Sequence, residues 1–231
     1  MIYVTVPGDT VSSISRQSGV PVWKIIYDNQ LGEEGELTVG QALLLLKPQE
    51  SAEIREDLYV TGYAYPFIEP YVLEMAFPAL NELLVFSYGF TFEGELVPPI
   101  QDETWMIQLA WENGIEPMLV LTPFTQGVFN NQLIQTLVEE ESVRENVITN
   151  LLKVVEEKGY VGVDVDFEYV RAQNREGYAE FVGELRAAMN EKGYRVSVAL
   201  APKTSSDQKG LLYEGIDYAL LGEQADRLFL M

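Results

Sequence analysis

Six segments after residue 58 carry the apolar residues of β-strands, and the stretches between them leave room for helices. The strands are predicted at residues 59–65, 82–90, 117–123, 162–168, 195–202 and 227–231. Helices are predicted at residues 103–113, 142–158 and 175–192. The last helix has one apolar face, which is formed by Tyr178, Phe181, Val182, Leu185 and Met189. Strands that alternate with helices are typical of a parallel α/β fold.

Residues 1–47 have a pattern of their own and predict a small unit with the order strand, helix, helix, strand. The strands are predicted at residues 2–6 and 41–46, and the helices at residues 10–18 and 21–29. Thr10 is a suitable N-cap for the first helix, and Gly40 marks the turn before the last strand. Residues 48–57 are polar and acidic, so we interpret them as a linker to a second domain at residues 58–231.

The most informative pattern is the alternation of apolar and acidic residues from Val163 to Glu168. On a strand, this period of two places Asp164, Asp166 and Glu168 on one face. Such a row would face water in an open antiparallel sheet, but helices cover the outer side of parallel strands, so we expect the acids to face a barrel interior or a cleft. Carboxylates held this close cannot all ionise cheaply, and at least one pKa rises. The row therefore predicts a general acid for neutral pH.

Charge and composition narrow the classes of ligand and catalyst. With 15 basic and 36 acidic residues, the chain of 231 residues has a formal charge of -21, which repels nucleic acids and anionic membranes. We expect a ligand that is neutral or of mixed charge. The chain has no cysteine and no histidine, which excludes disulfides, thiolate or imidazole metal sites and Ser/His/Asp triads from this stretch. Catalysis must then rest on carboxylates, with tyrosine or lysine in support.

Two further features concern location. The sequence has no run of about 18 apolar residues that would cross a bilayer. Its N-terminus lacks the basic and apolar regions of a signal peptide, so the protein either reaches its location without classical export or lacks a leader here. We expect a monomer with no membrane or nucleic-acid partner.

The N-terminal unit resembles a LysM domain. The resemblance is carried by Tyr3-Val-Thr-Val-Pro-Gly-Asp-Thr-Val-Ser-Ser-Ile, Asn29-Gln-Leu and Leu37-Thr-Val-Gly-Gln-Ala-Leu. It implies binding of glycans that contain N-acetylglucosamine, such as peptidoglycan and chitin. The implied groove is lined by Gly8, Asp9, Thr10, Val11, Asn29, Gln30 and Leu31. The alternative role of Gly8 is to form a backbone turn, and the alternative role of Asp9 is that of a turn residue or helix cap.

The segment Gly159-Tyr-Val-Gly-Val-Asp-Val-Asp-Phe-Glu resembles the fourth-strand signature of family 18 glycoside hydrolases, Asp-Gly-x-Asp-x-Asp-x-Glu. Val161 replaces its first Asp, while the three inner acids are intact. Together with the LysM unit, Ala201-Pro-Lys-Thr-Ser-Ser-Asp-Gln-Lys-Gly is similar to the spore cortex-lytic N-acetylglucosaminidases. The resemblance implies a (β/α)8 TIM barrel of typically ~250 residues. Because we count six strands and the chain stops within the apolar residues 229–231, we expect a barrel that is truncated at its C-terminus.

The resemblance also implies a mechanism that retains configuration and uses the substrate's own acetamido group as nucleophile. Glu168 would be the acid and base, Asp166 would orient the acetamido group, and Asp164 would share a proton with Asp166. No metal or cofactor is implied. The implied substrate is peptidoglycan, cleaved after N-acetylglucosamine, and the implied location is the spore coat, the cortex or the cell wall.

Several other residues are weaker candidates for lining a sugar cleft. They lie near predicted strand ends, after the acid row or after the fifth strand: Tyr63, Tyr65, Ser87, Tyr88, Tyr169 and Lys203. Tyrosines on strands are more often core or rim packing, and a lysine after a strand is usually solvated.

Two alternative functions stay open at this stage. A chitinase would share the chemistry and differ in its substrate. A non-catalytic glycan-binding or spore-coat protein would keep the barrel as a lectin, although lectins of this type usually lack the acid that Glu168 supplies here.

Overall fold

A computed structural model of the chain describes residues 1–32, 35–46, 58–125 and 128–231. Contacts divide the chain into two compact units, Met1–Leu58 and Tyr59–Met231. The predicted linker at residues 48–57 lies outside the described residues. None of the helices in the described ranges has the length and apolar character needed to span a bilayer.

The first unit has the predicted order of strand, helix, helix and strand. Its elements are β1 (Ile2–Val4), α1 (Val11–Ser18), α2 (Val22–Asp28) and β2 (Ala42–Leu44), and β1 pairs with β2 in antiparallel orientation. Thr10 caps α1 as predicted, because its side chain accepts a hydrogen bond from the Ser13 N–H. The helices bury a small core against the strands, formed by Val11, Ile14, Val20, Ile25, Leu43 and Leu45.

Asn29 joins the end of α2 to β2. Its Nδ2 donates to the Ile25 and Leu44 carbonyl oxygens, both at 2.9 Å, and its Oδ1 accepts from the Leu44 N–H at 2.6 Å. One side chain therefore satisfies groups at a helix terminus and on a strand that would otherwise depend on water. These bonds tie the end of α2 to β2 in a unit with a small apolar core.

The second unit is built on a parallel sheet whose six strands were all predicted. They are β3 (Thr61–Ala64), β4 (Glu82–Phe90), β6 (Glu116–Leu121), β9 (Gly162–Val165), β10 (Arg195–Leu200) and β11 (Arg227–Leu230). Their order in the sheet is β11-β10-β9-β6-β4-β3. Three short strands lie outside this path: β5 (Leu96–Val97), antiparallel to β4, and the hairpin of β7 (Phe124–Thr125) and β8 (Val128–Phe129).

Helices cover the outer face of this sheet. They are α3 (Pro70–Ala76), α4 (Thr104–Glu112), α5 (Asn131–Glu139), α6 (Glu141–Lys158), α7 (Arg175–Glu191) and α8 (Tyr218–Gln224), with 3-10 turns at Phe77–Ala79 and Ala172–Asn174. The predicted apolar face of α7 is confirmed, because all five of its residues are buried. The short helices α3, α5 and α8 were not predicted.

The sheet is curled into part of a barrel. Strands β3 and β11 are the two ends of the strand order, yet the rings of Tyr63 and Phe229 meet edge to face with centroids 5.2 Å apart. A flat sheet would hold strands at its two ends some 20 Å or more apart, since neighbouring strands are spaced at about 4.8 Å. The inner face therefore encloses its own small apolar group, with Leu84, Met118 and Val120 at its centre.

The first residues of four strands form an ionic group at the N-terminal end of the sheet. Glu82 is only 3% exposed, and its carboxylate lies 3.1 Å from Arg195 and 3.5 Å from Arg227. Arg195 also lies 2.6 Å from Glu116, and Tyr59 donates to both glutamates. Burial of Glu82 is tolerable because these donors replace the lost hydration.

We predict that Asn29→Ala loosens the first unit. The substitution removes all three bonds between α2 and β2 and leaves the Leu44 N–H without its acceptor, which should lower the free energy of unfolding of this unit by about 1–3 kcal/mol. Hydrogen exchange of the amides in residues 1–46 measures the effect. Gln17→Ala, an exposed position on α1, is the control. Equal protection in the two variants would contradict the assigned role of Asn29.

Candidate active site

The acid row begins on β9 and continues beyond it. The strand ends at Val165 rather than at the predicted residue 168, although the Asp166 N–H still donates to the Leu121 carbonyl at 2.9 Å. The alternation of sides nevertheless persists, because Phe167 stacks in the outer core on Phe90 and Tyr178, with centroids 5.8 and 5.4 Å away. The acids on either side of Phe167 are thus directed away from the helices.

Asp164 lies on the inside of the curled sheet. It is fully buried, and its strand neighbours in register are Val120 on β6 and Ser197 on β10. The Tyr63 hydroxyl, on β3, donates to its Oδ2 at 2.6 Å, and the Ser197 hydroxyl donates to its Oδ1. Because β3 is three strands away from β9, the bond from Tyr63 can only cross the interior.

Asp166 is nearly as buried but has fewer partners. It is 8% exposed, and its Oδ1 has no hydrogen-bond partner among the described residues. Glu168, two residues further on, is partly exposed. No hydrogen bond between described residues joins Asp164 to Asp166, and the two Asp164 oxygens accept hydrogen bonds from Tyr63 and Ser197. The row therefore runs from a buried, bonded acid to an accessible one.

The pKa values of Asp164 and Asp166 are raised above the ordinary value for an aspartate. Burial raises the pKa of Asp164 to about 6, although the hydrogen bonds from Ser197 and Tyr63 oppose the rise. Burial, together with the charges of Asp164 and Glu168, raises the pKa of Asp166 to about 7. Burial and the Asp164 charge also raise the pKa of Tyr63, which keeps its hydroxyl as a donor. Within the described ranges, no group of three or more His, Cys, Asp or Glu side chains is arranged to hold a metal ion.

An apolar cleft opens at the C-terminal ends of β3, β4 and β6. It has a volume of about 650 Å³ and is lined by Tyr65, Phe67, Phe86, Ser87, Ile100 and Phe124 among others. Tyr65 stacks on Phe67 at 4.9 Å and packs against Phe86 at 4.7 Å between centroids. Tyr65 and Ser87, two of the predicted cleft residues, therefore lie together. The active sites of parallel barrels lie at this end of the strands.

Tyr88 does not line this cleft. It is 3% exposed in the outer core, and its hydroxyl donates to Glu103 at 2.5 Å. The reason is a β-bulge. Val85 pairs with Leu119 and Tyr88 pairs with Leu121, so β4 advances by three residues over a span in which β6 advances by two. The extra residue reverses the alternation and turns Tyr88 outward.

Lys203 and Tyr169, two further candidates for the sugar cleft, have different environments. The Lys203 ammonium donates to the Ile216 carbonyl oxygen, and burial, with the nearby Arg175 charge, lowers its pKa. It is thus engaged by the protein. Tyr169 is 42% exposed and has a φ of 59°, which turns the chain sharply after Glu168. Val161, which departs from the signature, packs on the inner apolar group.

The predicted LysM groove residues have mostly structural contacts. Asp9 accepts from the Tyr3 hydroxyl at 2.9 Å and the Val6 N–H at 2.8 Å, so it is a turn residue. Gly8 has a positive φ, and Thr10 is the N-cap of α1. Val11 is buried in the small core and Leu31 packs against it. Asn29 bridges α2 and β2, and Gln30 is exposed with a φ of 50°. Of these, Gly8, Thr10 and Gln30 are exposed.

Ser197 was missed by the sequence reasoning. It is the one hydroxyl residue in the apolar strand β10, and this could have marked it as a polar group facing the site. Its importance depends on register, because parallel pairing with β9 sets it beside Asp164. A register cannot be read from either strand alone.

We predict that stability falls as pH rises from about 4 to about 7. The folded-state pKa values of Asp164 and Asp166, about 6 and about 7, exceed the ordinary value of 3.8, so the native state binds more protons than the unfolded state in this window. The free energy of unfolding should decline by about 1–4 kcal/mol across it. Asp166→Asn should remove much of this decline.

Urea unfolding at about pH 4.5 and about pH 7.5 measures the difference. Glu112→Gln, which removes an exposed carboxylate on α4, is the matched control. If Asp166→Asn and the parent protein lose the same stability between the two pH values, the protonation assigned to Asp166 is wrong.

Comparison with known proteins bears on both units. Residues 127–231 match the model of glycosyl hydrolases family 18, and residues 3–45 match the LysM domain model. A cortical fragment-lytic enzyme of Bacillus subtilis is 33% identical over 157 residues, which cover 68% of this chain and 36% of that protein.

Two crystal structures of the spore cortex-lytic enzyme SleL are similar over the whole chain. The Bacillus megaterium enzyme has 27% identity and a TM-score of 0.71, covering 100% of this chain and 54% of that chain. The Bacillus cereus enzyme has 29% identity and a TM-score of 0.70, covering 100% and 53%. The chain thus spans about half the length of these structures. The chain combines a LysM domain match with a curled α/β unit in which residues 127–231 match glycosyl hydrolases of family 18.

Proposed function

We propose that the protein is a glycosidase that cleaves β-1,4 bonds after N-acetylglucosamine in the peptidoglycan of the spore cortex. The observation that supports this most is the acid row, in which two buried acids with raised pKa values precede an accessible one at the C-terminal end of β9. The family match and the cortex-lytic relatives support the substrate class.

Glu168 is the proposed general acid and base. It is the accessible member of the row and lies just after the strand, at the end of the sheet where barrel enzymes bind substrate. In the first step its proton passes to the glycosidic oxygen as the bond from that oxygen to the anomeric carbon breaks. In the second step the resulting carboxylate takes a proton from the incoming water.

The proposed nucleophile is the acetamido oxygen of the substrate. It forms a bond to the anomeric carbon as the leaving group departs, which gives an oxazolinium ion, and water then opens this ring with net retention. Asp166 is placed two residues before the acid and has a free Oδ1, which can accept the acetamido N–H and face the developing positive charge. Asp164 is a second buried acid, two residues before Asp166, and hydrogen bonds from Tyr63 and Ser197 hold it in place.

The cleft fits a neutral saccharide. Its aromatic residues present apolar faces of the kind that sugar rings pack on, and its polar groups are few. The formal charge of -21 disfavours polyanionic ligands. We propose that the LysM domain, with Gly8, Thr10 and Gln30 at its exposed loops, retains the protein on the same glycan in the spore cortex or cell wall.

We predict that Glu168→Gln reduces kcat by about 10²–10⁴-fold, because glutamine cannot donate a proton to the leaving oxygen. The assay is release of reducing ends from cortex fragments, with chitin oligomers assayed in parallel. Thermal unfolding should be unchanged, since the side chain is partly exposed.

Glu145→Gln, an exposed position on α6, is the control and should keep full activity. Undiminished turnover by Glu168→Gln would exclude the assigned acid. Faster cleavage of chitin oligomers than of cortex fragments by the parent protein would move the assignment to a chitinase.

We predict that Phe67→Ala raises KM for oligosaccharides by roughly 10-fold, equivalent to about 1.4 kcal/mol, with kcat within about twofold. Phe67 is 67% exposed and stacks on Tyr65 in the cleft, so its loss removes ligand contact area more than core packing. Tyr71→Ala, at a 57% exposed position on α3, is the control. An unchanged KM would exclude the aromatic cleft as the sugar site.

A further inference from the structure

The segment that carries Glu168 is not held by the sheet. Strand β9 ends at Val165, and the last backbone bond from this segment to the neighbouring strand is the one from Asp166 to Leu121. Beyond it, Tyr169 turns the chain with a φ of 59°. Val170 then returns to the interior, where it is fully buried. Something other than strand pairing must fix the position of residue 168.

The loop after β10 lies directly on this segment at Gly215. A methyl group placed on Gly215 would lie 2.1 Å from the Val170 carbonyl oxygen and 2.4 Å from its carbon. Atoms at those distances overlap, so only glycine allows the two backbones to meet here. Gly215 is itself buried, as is Ile216 beside it. The contact is therefore a close backbone-to-backbone junction two residues after Glu168.

Two cations hold the loop on either side of that junction. Arg175, the first residue of α7, donates Nε to the Glu214 carbonyl at 2.9 Å and Nη2 to the same oxygen. Lys203, from the other end of the loop, donates Nζ to the Ile216 carbonyl. The two peptide carbonyls that flank Gly215 are thus both bound by charged side chains, which form stronger bonds than neutral donors.

The backbone of Lys203 is fixed as well. The Lys203 N–H donates to the Tyr218 hydroxyl at 3.0 Å, and that hydroxyl donates to the Ala201 carbonyl. The ammonium also lies 5.8 Å from the centre of the Tyr218 ring. Lys203 therefore approaches the loop from a defined anchor and does not extend freely toward solvent.

We propose that Gly215, Arg175 and Lys203 form a clamp that sets the position of Glu168, an inference that rests on the proposed function. All three are positioning residues, since they act on the acid through the Val170 backbone. A displacement of about 1 Å of a reacting group can cost about 10²-fold in rate. The clamp thus makes the loop after β10 a determinant of kcat although it supplies no reacting group.

The test is Gly215→Ala in the full chain. We expect kcat to fall by about 10–100-fold with KM within about threefold, and faster hydrogen exchange in residues 166–171. Gly222→Ala is the matched control, because a methyl group there meets only Leu228 Cδ1, at 3.5 Å. Unchanged exchange and unchanged kcat in Gly215→Ala would overturn the clamp.

A second pair of variants avoids the risk that Gly215→Ala fails to fold. Lys203→Met should lower kcat by about 10-fold, and Lys203→Arg, which keeps a donor for Ile216, should restore at least about half of the parent value. Lys209→Met, at an 86% exposed side chain that pairs with Glu214 at 3.5 Å, is the control. A Lys203→Met variant with higher KM and unchanged kcat would instead support a glycan contact and overturn the clamp.

Failure of the clamp and failure of the proposed function give different results. If Glu168→Gln keeps full turnover, the glycosidase assignment fails whatever Gly215→Ala does. If Glu168→Gln is inactive while Gly215→Ala and Lys203→Met keep parent kcat and parent exchange in residues 166–171, the function stands and the clamp fails.

Discussion

The buried carboxylate of Asp164 is the constraint on which the rest of the larger unit depends. A carboxylate without water is costly unless donors reach it, and here the donors come from β3 and β10, on opposite sides of β9 in the sheet. Tyr63 can reach it only if the sheet curls. The same curl lets Tyr63 meet Phe229 and encloses the inner face. One buried charge thus specifies both the curvature of the sheet and the site at its centre.

The alternation along β9 separates stability from chemistry. Val163, Val165 and Phe167 pack in the outer core, and the Phe167 ring is stacked within it. The residues between them carry acids whose pKa values are raised because burial disfavours the charged form. Because these acids are buried, ionising them near neutral pH lowers the stability of the folded state. The aromatic stacking of Phe167 on the other face of the strand offsets this loss. Packing on the outer face of β9 therefore stabilises the acid row on its inner face.

Features that depend on local pattern could be predicted from the sequence, and features that depend on register or distant contacts could not. The six parallel strands and the acid row follow from periodicity. The outward turn of Tyr88 depends on a bulge relative to β6, and the role of Ser197 depends on the pairing of β10 with β9. The bond from Lys203 to the Ile216 carbonyl could not be predicted, because this acceptor lies 13 residues further along the chain. The hydrogen-bond partners of Asp164 could not be predicted for the same reason, since Tyr63 and Ser197 lie on other strands.

The placement of the cations is consistent with the raised pKa values of Asp164 and Asp166. Arg195 and Arg227 bind Glu82 at the N-terminal end of the sheet, and Arg175 and Lys203 bind carbonyls of the loop after β10. No ion pair between described residues involves a member of the row. A cation beside Asp166 would favour its ionised form and lower its pKa. Arg175 and Lys203 thus hold the loop in place by binding its backbone, while Asp164 and Asp166 remain without a counter-charge.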